Sequence, residues 1–366
     1  MKHSSEQLDL SHSAARKFRL DGEIQQIEPF GSGHINDTFR LAVAGSDGLR
    51  RFVLQRLNSR VFSNPGAVME NIRRVTAHLA RKITGQPDAG RRVLTLVPAF
   101  DGNPCWTDGA GGCWRVFPFI EETRTVDVIE SPAQAFAVAR AFGVFAWHLS
   151  DLPAPRLQET ISAFHHTPRY FDALMKAVAS DVSNRAALAR REIEFAMQHE
   201  ATGHVLLDAH LPERVNHNDT KINNVLLDMA TGEGVCVIDL DTVMPGLAPC
   251  DFGDLVRSAA NPAREDEPDL SKVEMRFSLY EALLRGYLAG AGEVLTPAEK
   301  NLLPVSCQVI AFELGVRFLT DFLSGDVYFK TRREGQNLDR CRVQFKLVES
   351  MRLQEASMRR LLEGIQ

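Results

Sequence analysis

Residues 215–241 carry a strand-turn-strand pattern set between long helical stretches, and this island limits the possible folds more than any other part of the chain. His217-Asn218-Asp219-Thr220-Lys221-Ile222-Asn223-Asn224 leads into the apolar run Val225-Leu226-Leu227-Asp228. A turn over 229–234 follows, then Val235-Cys236-Val237-Ile238-Asp239-Leu240-Asp241. Short apolar runs bounded by turn residues read as strands, and two in succession read as a hairpin. With Asp228 opposite Val235, Asn224 falls opposite Asp239. That register delivers a carboxamide and a carboxylate side by side, with Asp219 on the loop leading in. Two oxygen donors and a nearby unpaired carboxylate suit Mg²⁺ holding nucleotide phosphates while a base receives an alcohol proton. Asp and Asn also occupy turns and strand ends for conformational reasons alone. The joint pattern is what points to chemistry: His-x-Asp, an Asn five residues on, an apolar strand, and Asp fifteen residues after the Asn.

The flanking sequence divides around residue 120. Residues 1–20 read as a loose or helical arm. Over 21–120 the pattern is strand, glycine-rich turn and strand from Glu23 to Val43, a third strand over 51–57, and one helix whose apolar face is Val68, Ile72, Val75 and Leu79. Short strands are expected around 93–100 and 113–119. Beyond 121, helices are expected over 133–149, 186–200, 272–288, 302–323 and 340–362. The expected class is α+β: a small antiparallel-sheet lobe over 21–120, a hinge near 117–122, and a larger, mainly helical lobe over 121–366 that contains the hairpin 215–241.

Composition removes several alternatives. Of 366 residues, 44% are hydrophobic and 24% charged, an ordinary balance for a packed chain. The net charge is −5 and no basic run reaches five residues, which excludes a dedicated nucleic-acid binder or a polybasic membrane protein. The most apolar stretch singled out, 133–149, contains Gln134, Arg140 and His148 and is too polar and short to span a bilayer. No apolar leader opens the chain, and the six cysteines include no Cys-x-x-Cys pair, so a reduced, cytoplasmic setting is expected.

The island resembles the catalytic loop and metal-binding loop of the protein-kinase-like small-molecule kinases, the aminoglycoside phosphotransferase and choline kinase superfamily. The resemblance implies a protein-kinase-like bilobal fold, ATP and Mg²⁺ as cofactors, Asp219 as catalytic base, Asn224 and Asp239 as metal ligands, and His217 as a structural residue of the loop. Within the superfamily, the strings 216–221, 238–246, 252–254, 317–321 and 325–329 look most like N-acetylhexosamine 1-kinases. A small-molecule sugar acceptor is therefore expected, with no nucleic acid, membrane or obligate protein partner. Asp251-Phe252-Gly253 spells the metal-binding tripeptide of protein kinases, but it lies past the hairpin and before an expected helix over 255–260. Asp251 reads as an N-cap or a buried tether for the catalytic loop.

Gly31-Ser32-Gly33 sits between two strands, where backbone amides can approach phosphates, although such turns also simply join hairpins. On the third strand, Arg56 resembles the phosphate-binding arginine of choline-kinase-like members, with Glu70 of the next helix expected as its ion-pair partner. Gln55, on the other strand face, is the rival if the register slips by one. The stretch 115–121 looks like the inter-lobe hinge, where backbone at Phe119 would meet the adenine edge. On the acceptor side the resemblance places Arg317 and Tyr328 at the sugar, with His34 and Asp241 also facing hydroxyls. Arg317 and Asp321 can equally be a structural i, i+4 pair. Two rival functions remain: a kinase of another alcohol (an aminoglycoside, choline or homoserine), or a catalytically silent nucleotide-binding module. Trp106, Trp114 and Trp147 read as core aromatics.

Overall fold

The computed structural model describes residues 5–31 and 35–365. It divides into two compact units. The first comprises Met1–Thr123 with two later segments, Leu152–Ser162 and Cys236–Met244; the second comprises Arg124–Asp151, Ala163–Val235 and Pro245–Gln366.

The first unit contains helix α1 (Ser5–Ala15), strands β1 (Glu23–Pro29), β2 (Asp37–Gly45) and β3 (Gly48–Arg56), helices α2 (Pro65–Lys82) and α3 (Ala89–Arg92), and strands β4 (Trp106–Thr107) and β5 (Cys113–Pro118). The strands form one antiparallel sheet in the order β1-β2-β3-β5-β4. Alternation decides its buried face. Phe39, Leu41 and Val43 of β2, Phe52 and Leu54 of β3, and Trp114 and Val116 of β5 share one core with Ala14, Ala15 and Phe18. The arm expected to be loose or helical is thus helical over Ser5–Ala15 and supplies part of the core. In α2, Asn64 caps the helix by accepting the Ala67 N–H, Pro65 opens the first turn, and Val68, Ile72, Val75 and Leu79 are all buried. The expected strand at 93–100 is reduced to isolated bridges, Val97 to Val116 and Phe18 to Ala99.

The rest of the chain is mainly helical. After β6 (Thr123–Arg124) come α4 (Pro132–Leu149), α5 (Thr167–Ser180), α6 (Arg190–Gln198), α7 (Val205–Asp208), β7 (Arg214–Asn216), β8 (Val225–Asp228), β9 (Gly234–Val237), β10 (Met244–Gly246), α8 (Ala248–Ala259), α9 (Phe277–Ala291), α10 (Pro297–Leu323) and α11 (Gln336–Glu363). Helices α4 and α9 approach so closely that a Cβ on Gly286 would lie 2.4 Å from the Phe136 carbonyl oxygen, so only glycine fits there. The apolar stretch most like a membrane span is α10, not residues 133–149. By length and composition α10 could cross a bilayer, but 89% of its apolar window is buried inside the protein. The turn after β8 is tighter than expected. Asp228 donates its N–H to the Glu233 carbonyl at 2.9 Å and accepts from Gly232, whose φ of +74° closes the turn. Asp228 therefore faces Glu233 rather than Val235.

Candidate active site

Residues 216–224 form a loop braced at almost every position. The edges of Phe142 and Phe145 meet the ring of buried His217 at centroid distances of 5.5 and 5.8 Å. The two carboxylate oxygens of Asp251, in the first turn of α8, accept the N–H groups of His217 (2.9 Å) and Asn218 (2.8 Å). The Thr220 hydroxyl donates to the Asp251 carbonyl at 2.5 Å. The side chain of Asn216 donates to the Leu247 carbonyl at 2.6 Å. Asn218 holds φ = +63°, and Gly246 makes room beside it: a Cβ there would lie 2.7 Å from the Asn218 side-chain oxygen. Asp251 is thus the buried tether that its position before a helix suggests.

Asp219 stands in the middle of this frame with its side chain 24% exposed. The Asn224 amide nitrogen donates to the Asp219 carbonyl at 2.8 Å, so the structure brings these two expected site residues together. Lys221, which the sequence analysis gave no role, reaches the Asp219 carboxylate at 3.0 Å. Burial pushes the Asp219 pKa up, but the Lys221 ammonium outweighs it and holds the group below its ordinary value. The result is an ionised carboxylate on a fixed loop, able to accept a hydrogen bond from an alcohol.

With its nitrogen committed to Asp219, Asn224 presents its side-chain oxygen as a donor atom. Among the described residues no group of three His, Cys, Asp or Glu side chains is arranged to hold a metal ion. A small set of protein oxygens suits a cation bound largely through phosphate oxygens and water, as Mg²⁺ is. Asp239, in the first unit, lies two residues past β9 in the left-handed region at φ = +60°. Asp241 differs from expectation. It is 2% exposed, its oxygens accept from buried Arg115 and from Asn36 (2.6 Å), and its backbone carbonyl accepts from Thr160 (3.0 Å). Each of its oxygens thus has a partner in the interior, and these bonds tie the 236–244 segment to the sheet.

The nucleotide candidates are also rearranged. Arg56 does not meet Glu70: it contacts Asp108 at 3.4 Å and lies over the Trp114 ring at 5.6 Å, whereas Glu70 pairs with Arg73 one turn along its own helix at 2.8 Å. The fork of Arg73 is simply nearer. Gln55, on the opposite strand face, accepts from Arg115 at 2.7 and 3.0 Å. The Phe119 N–H continues the sheet by donating to the Arg51 carbonyl at 3.0 Å. Gly31 has φ = +82° with open space around it; Ser32, Gly33 and His34 lie outside the described residues.

In the second unit, the Arg317 guanidinium lies 5.3 Å from the Phe164 ring centroid, 4.9 Å from Tyr170 and 5.7 Å from Phe329. Asp321 is not its ion-pair partner. It accepts the N–H groups of Val327, Tyr328 and Phe329 at 2.8–2.9 Å, with the Asn337 side chain at 2.9 Å. That carboxylate holds the turn that carries Tyr328, which is 48% exposed. Trp147 is 40% exposed and does not belong to the core, unlike Trp114. The residues that sequence reasoning missed are Lys221, Arg115, and the pair His165–Glu313. Glu313 and Arg317, four apart in an apolar helix, were the available signal for the last.

The sequence profile described as "Phosphotransferase enzyme family" matches residues 26–299. Among solved structures, the chain is similar to a microcompartment-associated aminopropanol kinase, with a TM-score of 0.66 at 15% identity over 96% of this chain and 98% of that one. A spectinomycin phosphotransferase in complex with ADP and spectinomycin gives 0.56 at 10% identity over 97% and 99%. A choline/ethanolamine kinase family protein from Mesorhizobium loti gives 0.54 at 19% identity over 97% and 99%. At these identities the structural likeness establishes a kinase-like fold.

Proposed function

The chain belongs to the phosphotransferase enzyme family, and from that premise we propose that it transfers the γ-phosphoryl group of ATP to the anomeric hydroxyl of an N-acetylhexosamine or a related hexose. The observation that carries the reading is the braced, ionised Asp219 on its loop. In this reading Asp219 accepts the acceptor's hydroxyl proton as the acceptor oxygen bonds to the γ-phosphorus and the bond from that phosphorus to the β–γ bridging oxygen of ADP breaks. The phosphoryl transition state is loose, so the proton moves late and a weakly basic carboxylate suffices. Asn224 and Asp239 are the protein oxygens assigned to Mg²⁺, which when bound neutralises charge on the phosphates. Glycine-loop backbone at 31–33 and the backbone at 119 are assigned to the nucleotide. Of the β3 candidates, Arg56 is held by Asp108 and Trp114, and Gln55 by Arg115.

On the acceptor side we assign Arg317 and Tyr328. Among the described residues, no hydrogen bond or ion pair occupies the Arg317 guanidinium, which is flanked by rings instead. A fixed cation repels choline or an aminoglycoside and suits the hydroxyl and carbonyl oxygens of a neutral N-acetyl sugar. The anomeric hydroxyl is also the most acidic on the ring, the easiest proton for such a base. The test is an ADP-release screen over sugars, amino alcohols and aminoglycosides, followed by phosphorus NMR of the product. N-acetylglucosamine or N-acetylgalactosamine should react with coupling of phosphorus to the anomeric proton, and their 1-O-methyl glycosides should be inert. Transfer to O6, or turnover of an amino alcohol alone, overturns the sugar 1-kinase reading and leaves the phosphotransferase standing. Asp219→Asn should lower turnover by about 10²–10⁴-fold, the usual contribution of an acid–base group; retention of a tenth of wild-type turnover removes Asp219 as the base.

A further inference from the structure

The segment between α4 and α5 carries a histidine that the chemistry above does not use. The side chain of His165 is 8% exposed, and both of its ring nitrogens are engaged: Nδ1 lies 2.9 Å from the Glu313 carboxylate of α10, and Nε2 lies 3.2 Å from the backbone carbonyl of Asn218, the residue before Asp219. The Thr167 hydroxyl donates to the other Glu313 oxygen at 2.8 Å, which fixes that carboxylate. Both partners of the ring are acceptors. Only a doubly protonated imidazolium can donate to the two at once, since a neutral ring has a single N–H. Ala163 and His165 both hold left-handed backbone, at φ = +51° and +57°, a cost that the surrounding contacts must offset. The neighbours of His165 have a second partner: Phe164 and Tyr170 are two of the rings flanking Arg317, one turn beyond Glu313 on α10.

We infer that His165 is a positioning residue: as an imidazolium it clamps the catalytic-loop carbonyl at Asn218 to Glu313, so that α10 and the 163–170 segment hold Asp219 in register with the Arg317 acceptor group. The inference rests on the assignment of Asp219 as base. Glu313 and Arg317 of α10 face the ring, as do Asp251 and Asp254 of α8. Burial alone would lower the His165 pKa; Glu313 outweighs it and raises the group above its ordinary 6.5, while burial, outweighed by the His165 charge and the Thr167 hydroxyl, leaves Glu313 ionised. A raised histidine keeps its clamp below pH 6.5 and loses it as the pH rises through the folded value. Turnover should therefore show an alkaline limb that belongs to the clamp.

The experiment compares wild type, His165→Gln, Glu313→Gln and Asp219→Asn in the full-length chain, with MgATP and the acceptor found in the screen. His165→Gln keeps at most one of the two bonds. It is expected to lower kcat at least tenfold with the KM for ATP within twofold, to abolish the alkaline limb, and to speed amide hydrogen exchange at His217 and Asn218 at least tenfold while α9 amides stay unchanged. Glu313→Gln removes the anion that raises the histidine and should shift the limb to lower pH. A merely structural role would move exchange in all helices together and leave the limb in place. Unchanged kcat and loop exchange in folded His165→Gln overturns the inference; if that variant does not fold, an unmoved limb in Glu313→Gln overturns it. Loss of turnover in Asp219→Asn beside full turnover in His165→Gln defeats the clamp alone, whereas full turnover in both defeats the assignment of Asp219.

Discussion

In the proposed reading, Asp251 and Asp239 do two different jobs, one bracing a loop and the other holding a cation. Asp251 is 4% exposed and spends both oxygens on the N–H groups of the loop, so Asp251→Ala strands two buried donors at about 1–3 kcal/mol each. We predict that this variant melts at lower denaturant, with turnover lost through the loop, while the affinity of its folded fraction for MgADP is kept. Asp239→Ala should do the reverse: near-normal melting, with MgADP affinity lost in calorimetric titration and no rescue by raised Mg²⁺. The reverse outcome for the pair would exchange their roles. The tether was legible in the sequence because Asp251 lies only 34 positions past His217, just beyond the hairpin that the loop opens. Arg115 and His165 were not, since the partner of Arg115 lies 126 positions away and that of His165 lies 148. A lone charge in an apolar strand, or a histidine beside a second histidine, does not announce a distant partner.

Helix α10 shows how one residue can serve both a helix end and a tertiary contact. Thr296 and Glu299 form a capping box, and fully buried Glu299 also takes the fork of Arg214 at 2.6 and 2.8 Å, just before the 216–224 loop. Burial pushes the Glu299 pKa up, but the bonds from Arg214 and Thr296 outweigh it and hold the group below 4.5. A depressed carboxyl contributes stability that is present above 4.5 and lost as the pH falls through the folded value. Glu299→Gln should therefore flatten the acid side of the stability-against-pH curve below pH 4.5, and Thr296→Ala should cost about 0.5–2 kcal/mol at all pH values. Equal slopes in wild type and Glu299→Gln would discount the pair. Helices of this kind were readable from periodicity to within a few residues: 302–323 was expected and Pro297–Leu323 is found. The span 186–200 was read as one helix but breaks into 3-10 turns around α6, and α5 went unread, its buried face being only Thr167, Phe171 and Leu174. The hairpin register failed for a local reason: Gly232 in the left-handed region allows a shorter turn than the strand pattern implies.

At the scale of the molecule, the first unit is assembled from three separated stretches of chain, and its buried ion pair, Arg115 with Asp241, joins the first to the last. Arg115 is 1% exposed and has Gln55 on its other edge. Arg115→Met leaves the Asp241 charge buried without its partner and should cost about 3–5 kcal/mol, while Arg115→Met with Asp241→Leu should recover most of that. Denaturant melts of the two single variants and the double variant measure the coupling; additive losses would mean that the pair does not hold the 236–244 segment. Asn71 depends on the same late segments, donating to the Gln158 carbonyl at 2.8 Å and to that of Val243 at 3.0 Å. The order of synthesis then matters. At about 5–20 residues per second, a ribosome needs on the order of ten seconds after making Arg115 to make Asp241. Until Asp241 follows, a sheet formed from the first stretch alone would carry the Arg115 charge without its partner in its interior. The early product leaving the tunnel is a natural client for a holding chaperone, and a translational pause between the codons for 123 and 236 would lengthen its exposure rather than help it fold.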